Sequence, residues 1–393
     1  MIYLDNNATT RIDADVLNAM MPYFIESYGN ASSTQHRLGR QSNEAIQLAR
    51  QQIARALTIQ DPNEIIFTSG ATEAINIAIK GVAARYHAVG NHIITCQTEH
   101  KAVLETCAQL EKEGCRVTYL PALANGQIDL SQLREAITPQ TILISLMAAN
   151  NETGVLHPIA DIAKICQEHG ILFFCDATQY IGKQNALDLA QIPIDLLCAS
   201  AHKFHGPKGV GALYIRRRRS KPIQIEPLIV GGNQEGALRG GTYNVPAIVG
   251  FGAAIERIQP NEWKTVATLR DYLETSLIES VPHLFVNGAS APRLSNTSNL
   301  TIKHVLAAEL ISRLPDIAFS TGSACVVGSA APSHVLIAMG LSEDMARCSI
   351  RLSLSKYTTR EEIDEVAKQI AHAVKKIREQ SPVWMLFEKG LID

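Results

Sequence analysis

Short apolar runs rich in β-branched residues alternate with helical patterns through the first half of the chain. Residues 64–68 (EIIFT) predict a strand, and the following ATEAINIAIKG predicts a helix. A strand at 92–95 precedes a helix at 102–112, and a strand at 116–120 precedes a helix at 130–137. The series continues with a strand at 141–147, a helix at 159–169 and a strand at 171–175. Strands buried on both faces read as continuous apolar runs, and helices between them supply right-handed crossovers. The pattern therefore predicts an α/β fold with a large, mostly parallel or mixed sheet. After about residue 260 the character changes. A long helical pattern at 263–280 leads into shorter strands near 283–286, 299–302 and 349–354, and an amphipathic helix at 360–378 follows. Few strands among long helices suggest a second, α+β unit. No internal repeat is visible.

A length of 393 residues suits two or three domains. Apolar residues make up 46% and charged residues 19%, so there is enough side chain to bury for disorder to be excluded. Lys+Arg 36 against Asp+Glu 38 gives a net charge of −2, without the basic excess of a nucleic-acid binder. No run reaches the ~18 apolar residues of a membrane helix, and the opening MIYLDNNATT does not read as a signal peptide. The expected location is cytoplasmic. The eight cysteines (96, 107, 115, 166, 175, 198, 325 and 348) form no CxxC pair, which argues against a disulfide framework or a zinc site. Mostly buried, reduced thiols and no stable metal site are expected. The one charge run, RRRR at 216–219, reads as a solvated turn after a strand at 211–215.

Three segments carry candidate chemistry. In TSGATEA (68–74) a strand ends, small residues turn and a helix begins, and the free N–H groups of such a terminus favour a phosphate. Ser69 or Thr72 as a simple N-cap fits the same residues. Neither GxxxxGK[ST] nor a GxGxxG behind a strand is present, so a P-loop or dinucleotide fold does not explain the turn. In FFCDATQ (173–179) an apolar strand delivers Asp176 at its C-terminal end, where open α/β sheets bind ligands. A helix cap is the other reading of Asp176. In SAHKFHGPKG (200–209), after a strand at 194–198, Lys203 precedes a Gly/Pro-rich turn. A lysine in an apolar pocket has a lowered pKa and can form a Schiff base with an aldehyde; simple exposure on a loop is the other reading of Lys203. Ser200 and His202 stand ready to donate to a phosphate. A phosphate turn, an acid for a pyridine nitrogen and a lysine for an aldehyde are the three contacts pyridoxal 5'-phosphate needs.

With these segments in view, the chain resembles the NifS/IscS-type (group I) cysteine desulfurases. YLDNNATT, TSGATEAIN, TEHKAVL, NNETG, DATQ, SAHKFHGPKGVGALY, RGGTYNVPAIVGF, STGSAC and SIRLSL occur in the family's order over nearly the whole length. The resemblance implies the aminotransferase-like fold type I of pyridoxal-phosphate enzymes. It has a large cofactor domain (15–259) and a small α+β domain made of 1–14 and 260–393, which carries an active-site loop at about 320–332. By the same resemblance Lys203 would hold the cofactor, Asp176 would pair with the pyridine nitrogen and Gln179 would bond the phenolic oxygen. His100 would stack on the ring. Ala71, Thr72, Ser200 and His202 would hold the phosphate, with Thr242 reaching it from a second subunit of a homodimer. Asn151 would contact the cofactor and substrate, and Arg351 would clamp the substrate carboxylate. Cys325 would be the sulfur-accepting nucleophile.

Physical reasons accompany these roles. An anionic Asp176 raises the pKa of a ring nitrogen beside it and keeps it protonated. His100 offers a flat face and nitrogens that titrate near neutrality. Arg351 supplies a fork that matches a carboxylate bidentately. Cys325 lies in STGSACVVGSAAP, whose Gly, Ser and Ala anchor nothing by packing, so a mobile loop is expected. A free thiol is only a few per cent thiolate at pH 7, so a proton acceptor near Cys325 is expected, His100 or the substrate itself. The chain departs from the family pattern at Thr178, at Ala201 and at Val326-Val327.

The implied activity is removal of sulfur from L-cysteine to give L-alanine and a persulfide on Cys325. The persulfide would pass to an iron–sulfur scaffold protein or a thiolation acceptor, and Cys325 would be able to ligate a cluster transiently. Two alternatives stand beside this one. One is a selenocysteine lyase or other β-eliminating enzyme on the same fold, which would not need Cys325. The other is a scaffold subunit of iron–sulfur assembly, which would not need the lysine.

Overall fold

The computed structural model describes residues 1–217, 222–321 and 331–391. A two-residue strand, β1 (Ile2–Tyr3), opens the chain. The large sheet is then built from β2 (Ile65–Thr68), β3 (His92–Cys96), β4 (Arg116–Leu120), β5 (Thr141–Ser145), β6 (Leu172–Asp176), β7 (Leu196–Ser200) and β8 (Gly211–Ile215). Later come β9 (Leu284–Val286), β10 (Thr297–Ile302), β11 (Ile317–Ala318) and β12 (Ser349–Ser353). The seven strands lie in the order β2-β8-β7-β6-β5-β3-β4, and only β8 runs against its neighbours. The sheet is therefore mixed, with its parallel part joined by helices such as Lys101–Lys112 and Ile159–His169.

The strands are apolar along their length because both faces are covered. One face holds Ile94, Ile144, Phe173 and Leu197 against the helices Arg37–Ala56 and Val245–Glu256. The other holds Ile93, Leu143, Phe174 and Leu213 against the helix Ala71–Tyr86. The pair of helices on the first face approach closely because their facing residues are small. A side chain added at Gly252 would meet the Ala49 Cα at 2.7 Å.

A separate apolar core lies on the smaller antiparallel sheet, where β10 sits between β9 and β12. Leu273 and Leu277 from the helix Glu262–Ser280 and Ile363, Val366 and Ile370 from Arg360–Gln380 pack there with Leu300 and Ile350. The second of these helices begins with a capping box, Thr359 and Glu362 each bonding the other's backbone N–H. Leu4 joins this core, and β1 pairs in parallel with β11. The N-terminal segment that follows β1 thus leaves the pair β1–β11 beside the second core and enters the space at the C-terminal ends of the large sheet's strands.

Among the described residues no helix is long and apolar enough to cross a membrane. Cys96, Cys107, Cys166, Cys175, Cys198 and Cys348 are buried, whereas Cys115 is half-buried, and all seven are free thiols. Burial pushes the Cys96 thiol up to about 11 and the Cys107 thiol to about 12. Such thiols are inert at neutral pH. Of the run at 216–219, Arg216 and Arg217 are described, and Arg217 pairs with Asp61 at 2.7 Å at the surface.

One buried group outside the sheet ties stability to pH. His157 is fully enclosed, neither ring nitrogen has a hydrogen-bond partner among the described residues, and burial lowers its pKa to about 4. The unfolded chain takes up this proton near pH 6.5, while the folded state refuses it until about pH 4. Stability is therefore lost as pH falls through that window, by up to about 1.4 kcal/mol per pH unit for this one group. In urea titrations between pH 6.5 and 4, the His157→Leu variant is expected to show a flatter decline than wild type; an unchanged slope would refute the assignment.

Candidate active site

At the C-terminal ends of β2, β6 and β7 the chain encloses a cavity of about 570 Å³, a size that suits a cofactor-sized ligand. Ala71 and Thr72 line one end, at the start of the helix Ala71–Tyr86. The residue before that helix is Gly70, which offers no side-chain cap, so neither Ser69 nor Thr72 acts as the N-cap. Uncapped N–H groups and the positive end of the helix dipole remain for an anion. Glu73 lies beside them but is balanced. Burial opposes its charge, yet bonds from Arg239 Nε (2.7 Å) and the Ser69 N–H (2.8 Å) outweigh that and hold its carboxyl below the ordinary value. The turn also requires a glycine on its neighbouring strand. A Cβ at Gly211 would meet the Gly70 Cα and the Ala199 carbonyl oxygen at 2.7 Å.

Ser200, His202 and Lys203 line the same cavity, Ser200 from the end of β7 and the other two from the short turn Ala201–Lys203. His202 Nδ1 bonds Thr9 Oγ1 at 3.1 Å. Burial, helped by Lys203 and Lys208, lowers its pKa to about 4, so its ring is neutral at pH 7. Lys203 is half-buried, and its Nζ donates to the carbonyls of Asn7 (2.7 Å) and Ala8 (2.9 Å).

Asp176 ends β6 and is only 7% exposed. Its Oδ1 accepts from the Thr178 N–H at 2.9 Å and from Cys198 Sγ at 3.3 Å. The segment after it is a turn rather than a helix, so the helix-cap reading of Asp176 does not hold. It forms no salt bridge among the described residues, which leaves a buried carboxylate in search of a cation. Three residues on, Gln179 lines the cavity and donates through Nε2 to the Asn7 carbonyl at 2.9 Å.

His100 caps the helix Lys101–Lys112, its Nδ1 accepting the Ala102 N–H at 3.1 Å. That bond leaves the neutral ring's proton on Nε2. Burial is the main reason its pKa lies below the ordinary value, with Asp176 pulling the other way. Asn151 lines the cavity, and its carbonyl accepts from Asn7 Nδ2 (3.2 Å) and Arg351 Nη1 (2.9 Å). Arg351, on β12 and only 2% exposed, also pairs with Asp5 at 2.8 Å. It reaches the border of the cavity through Asn151. Thr242 is exposed and does not line this cavity. Cys325 lies outside the described residues, as does most of the loop expected at 320–332.

The residues present fit pyridoxal 5'-phosphate. An anion seat, an amine and a buried carboxylate without a cation match its phosphate, aldehyde and ring nitrogen. Comparison with known proteins bears on the same point. The class-V aminotransferase family model matches residues 2–366. A "Cysteine desulfurase IscS" of Actinobacillus succinogenes is 47% identical over 396 residues, covering 99% of this chain and 96% of the relative. The chain belongs to the class-V aminotransferases, in their cysteine desulfurase branch. A solved "NifS-like protein" superposes with a TM-score of 0.87 at 38% identity, over 95% of this chain and 99% of that one. A structure described as "SspA in complex with cysteine" gives a TM-score of 0.81 at 40% identity, over 91% of this chain and 100% of that one.

For a member of this branch, sequence reasoning missed several residues that shape the cavity. Asn7 touches Lys203, Gln179 and Asn151, but an asparagine with no acid–base chemistry drew no attention beyond its place in YLDNNATT. Lys183, buried four residues after Gln179, carries no local signal in the sequence that sets it apart from a surface lysine. Glu99, beside His100, is fully buried; desolvation, with Asp176 adding to it, holds its carboxyl well above the usual range. It accepts the Met147 N–H at 2.6 Å.

The Gly211–Gly70 contact gives a direct test of this geometry. Gly211→Ala is expected to cost roughly 1–3 kcal/mol of stability through overpacking. It is also expected to weaken pyridoxal phosphate binding about tenfold or more by displacing the anion seat. Fluorescence titration of the refolded variant measures the second effect, and unchanged affinity would contradict it.

Proposed function

We propose that this chain is a pyridoxal-phosphate-dependent cysteine desulfurase that converts L-cysteine to L-alanine and leaves the sulfur as a persulfide on Cys325. The observation that carries the reading is that Lys203 and Asp176, from adjacent parallel strands, meet at one cavity with an uncapped helix start. Pyridoxal phosphate, when bound, supplies an electron sink conjugated to the substrate α-carbon. Lys203 holds the cofactor and, once displaced by the substrate amine, takes the α-proton on Nζ. Asp176 keeps the ring nitrogen protonated. Gln179 faces the phenolic oxygen, and Ala71, Thr72, Ser200 and His202 hold the phosphate, joined by Thr242 of the partner subunit.

His100 stacks on the ring and exchanges a proton through Nε2, its capping bond being made by Nδ1. Arg351 and Asn151 receive the substrate carboxylate. The arginine's salt bridge to Asp5 supports this in one respect, since it fixes a buried guanidinium at the cavity border. Cys325 as thiolate attacks the substrate sulfur. The S–S bond forms as the Cβ–S bond breaks, and the electron pair left on carbon is protonated to give alanine.

In this reading residues 15–259 form the cofactor domain, and 1–14 with 260–393 form the domain that carries the cysteine loop. Support comes from the two apolar cores, one on each sheet. The working enzyme is a homodimer, for which the exposed Leu228, Ile229 and Val230, on the connection between β8 and the helix Val245–Glu256 that also carries Thr242, offer an apolar contact. The persulfide passes to a sulfur acceptor, either an iron–sulfur scaffold protein or a thiolation factor. Reduced thiols throughout the described chain suit the cytoplasm.

Purified enzyme mixed with L-cysteine is expected to yield alanine and one added sulfur atom on the Cys325 peptide by mass spectrometry. Cys325→Ala is expected to lose turnover on L-cysteine by at least ~100-fold while keeping the bound cofactor. Full turnover in that variant would point instead to a β-eliminating lyase.

A further inference from the structure

A second lysine lies behind the cavity wall, and neither the reaction above nor its cofactor contacts use it. Lys183 is 7% exposed and forms no salt bridge among the described residues. Its Nζ donates to Gln179 Oε1 and, at 3.1 Å, to Asn7 Oδ1. Burial, reinforced by Lys203 and Arg351, pushes its pKa well below the ordinary lysine value.

The acceptors are themselves fixed. Asn7 Nδ2 donates to the Asn151 carbonyl (3.2 Å) and to Thr297 Oγ1 (2.8 Å), so Asn7 must turn its Oδ1 the other way. That oxygen receives Asn296 Nδ2 at 3.0 Å as well as Lys183. Asn296 is held in turn by the Leu354 carbonyl at 3.2 Å. An amide's two ends look alike in shape but differ in chemistry, and only the hydrogen-bond network decides which faces where. For Gln179 the decision is complete on both sides. Lys183 presents N–H to Oε1, and the Asn7 carbonyl accepts from Nε2. Turning the amide over would set donor against donor and acceptor against acceptor.

We propose that Lys183 is a positioning residue that locks the Gln179 amide so that it offers the cavity an N–H donor and never a carbonyl oxygen. This rests on the cofactor reading given above, in which the oxygen facing Gln179 is phenolic. A donor there stabilises the anionic oxygen; a carbonyl would repel it. Removing the lock makes that oxygen more basic, and the proton shared at the bound cofactor is held to higher pH.

The test is the pH titration of the visible absorption band of the loaded enzyme, read without turnover. Lys183→Met and Gln179→Leu are each expected to raise the midpoint by about one pH unit, tenfold in proton affinity. Because the lysine acts through the amide, the double variant is expected to shift no further than Gln179→Leu alone. An unshifted midpoint in soluble, loaded Lys183→Met overturns the proposal, and so does a full additional shift in the double variant. If the methionine variant does not fold, Lys183→Gln replaces it. That variant keeps a shortened donor, so a smaller rise that vanishes in the Gln179→Leu background is expected, and no rise at all overturns the proposal. Wild type that takes up no pyridoxal phosphate and shows no visible band refutes the cofactor reading itself, a failure distinct from either of these.

Discussion

A carboxylate buried at the end of a central strand, with no salt bridge among the described residues, is the constraint around which this molecule is arranged. Thr178 and Cys198 each bond Oδ1 of Asp176, and in the proposed reading the ring nitrogen of the cofactor is the cation that faces it. The protein's own cations are directed elsewhere. Lys203 is held by the carbonyls of Asn7 and Ala8, Arg351 by Asp5 and the Asn151 carbonyl, and Arg239 by Glu73. A buried ion is costly to desolvate, so the place of Asp176 in the cavity favours a ligand that brings a protonated nitrogen.

Sheet topology explains how so many groups reach one place. Parallel strands put their C-terminal ends on one edge, and Thr68, Asp176 and Ser200 all end strands there. β8 breaks the parallel pattern, yet Gly211 lets it press against the turn at Gly70. The N-terminal segment completes the enclosure. It leaves the β1–β11 pair and supplies Asn7, which contacts Thr297 of β10 and Gln179 just beyond β6. The cavity therefore depends on both apolar cores, and a change in how they meet would be felt first at Asn7.

Most strands were legible in the sequence because burial on both faces leaves a continuous apolar signature, as in Leu172–Asp176 and Gly211–Ile215. Two large helices were not. Arg37–Ala56 does carry an apolar stripe through Ala45, Ile46, Ala49 and Ile53, but the buried Gly39, Ser42 and Arg50 interrupt it. Val245–Glu256 is buried almost all round and so shows no helical period. In the site, Lys203 and Asp176 stood out because charged residues at the ends of apolar strands are conspicuous. Asn7 reaches Gln179 and Lys183 only across more than 170 residues of chain, and no local pattern encodes such a contact. The local caps proposed for Ser69, Thr72 and Asp176 gave way because the tertiary structure uses those positions to open a cavity.

The ring nitrogen of bound pyridoxal phosphate reports most directly on the charge Asp176 carries. With 15N-labelled cofactor, the wild-type enzyme at pH 8 should show the chemical shift of a protonated pyridine nitrogen, and Asp176→Asn that of a deprotonated one. A deprotonated nitrogen in the wild-type enzyme would contradict the account at its centre.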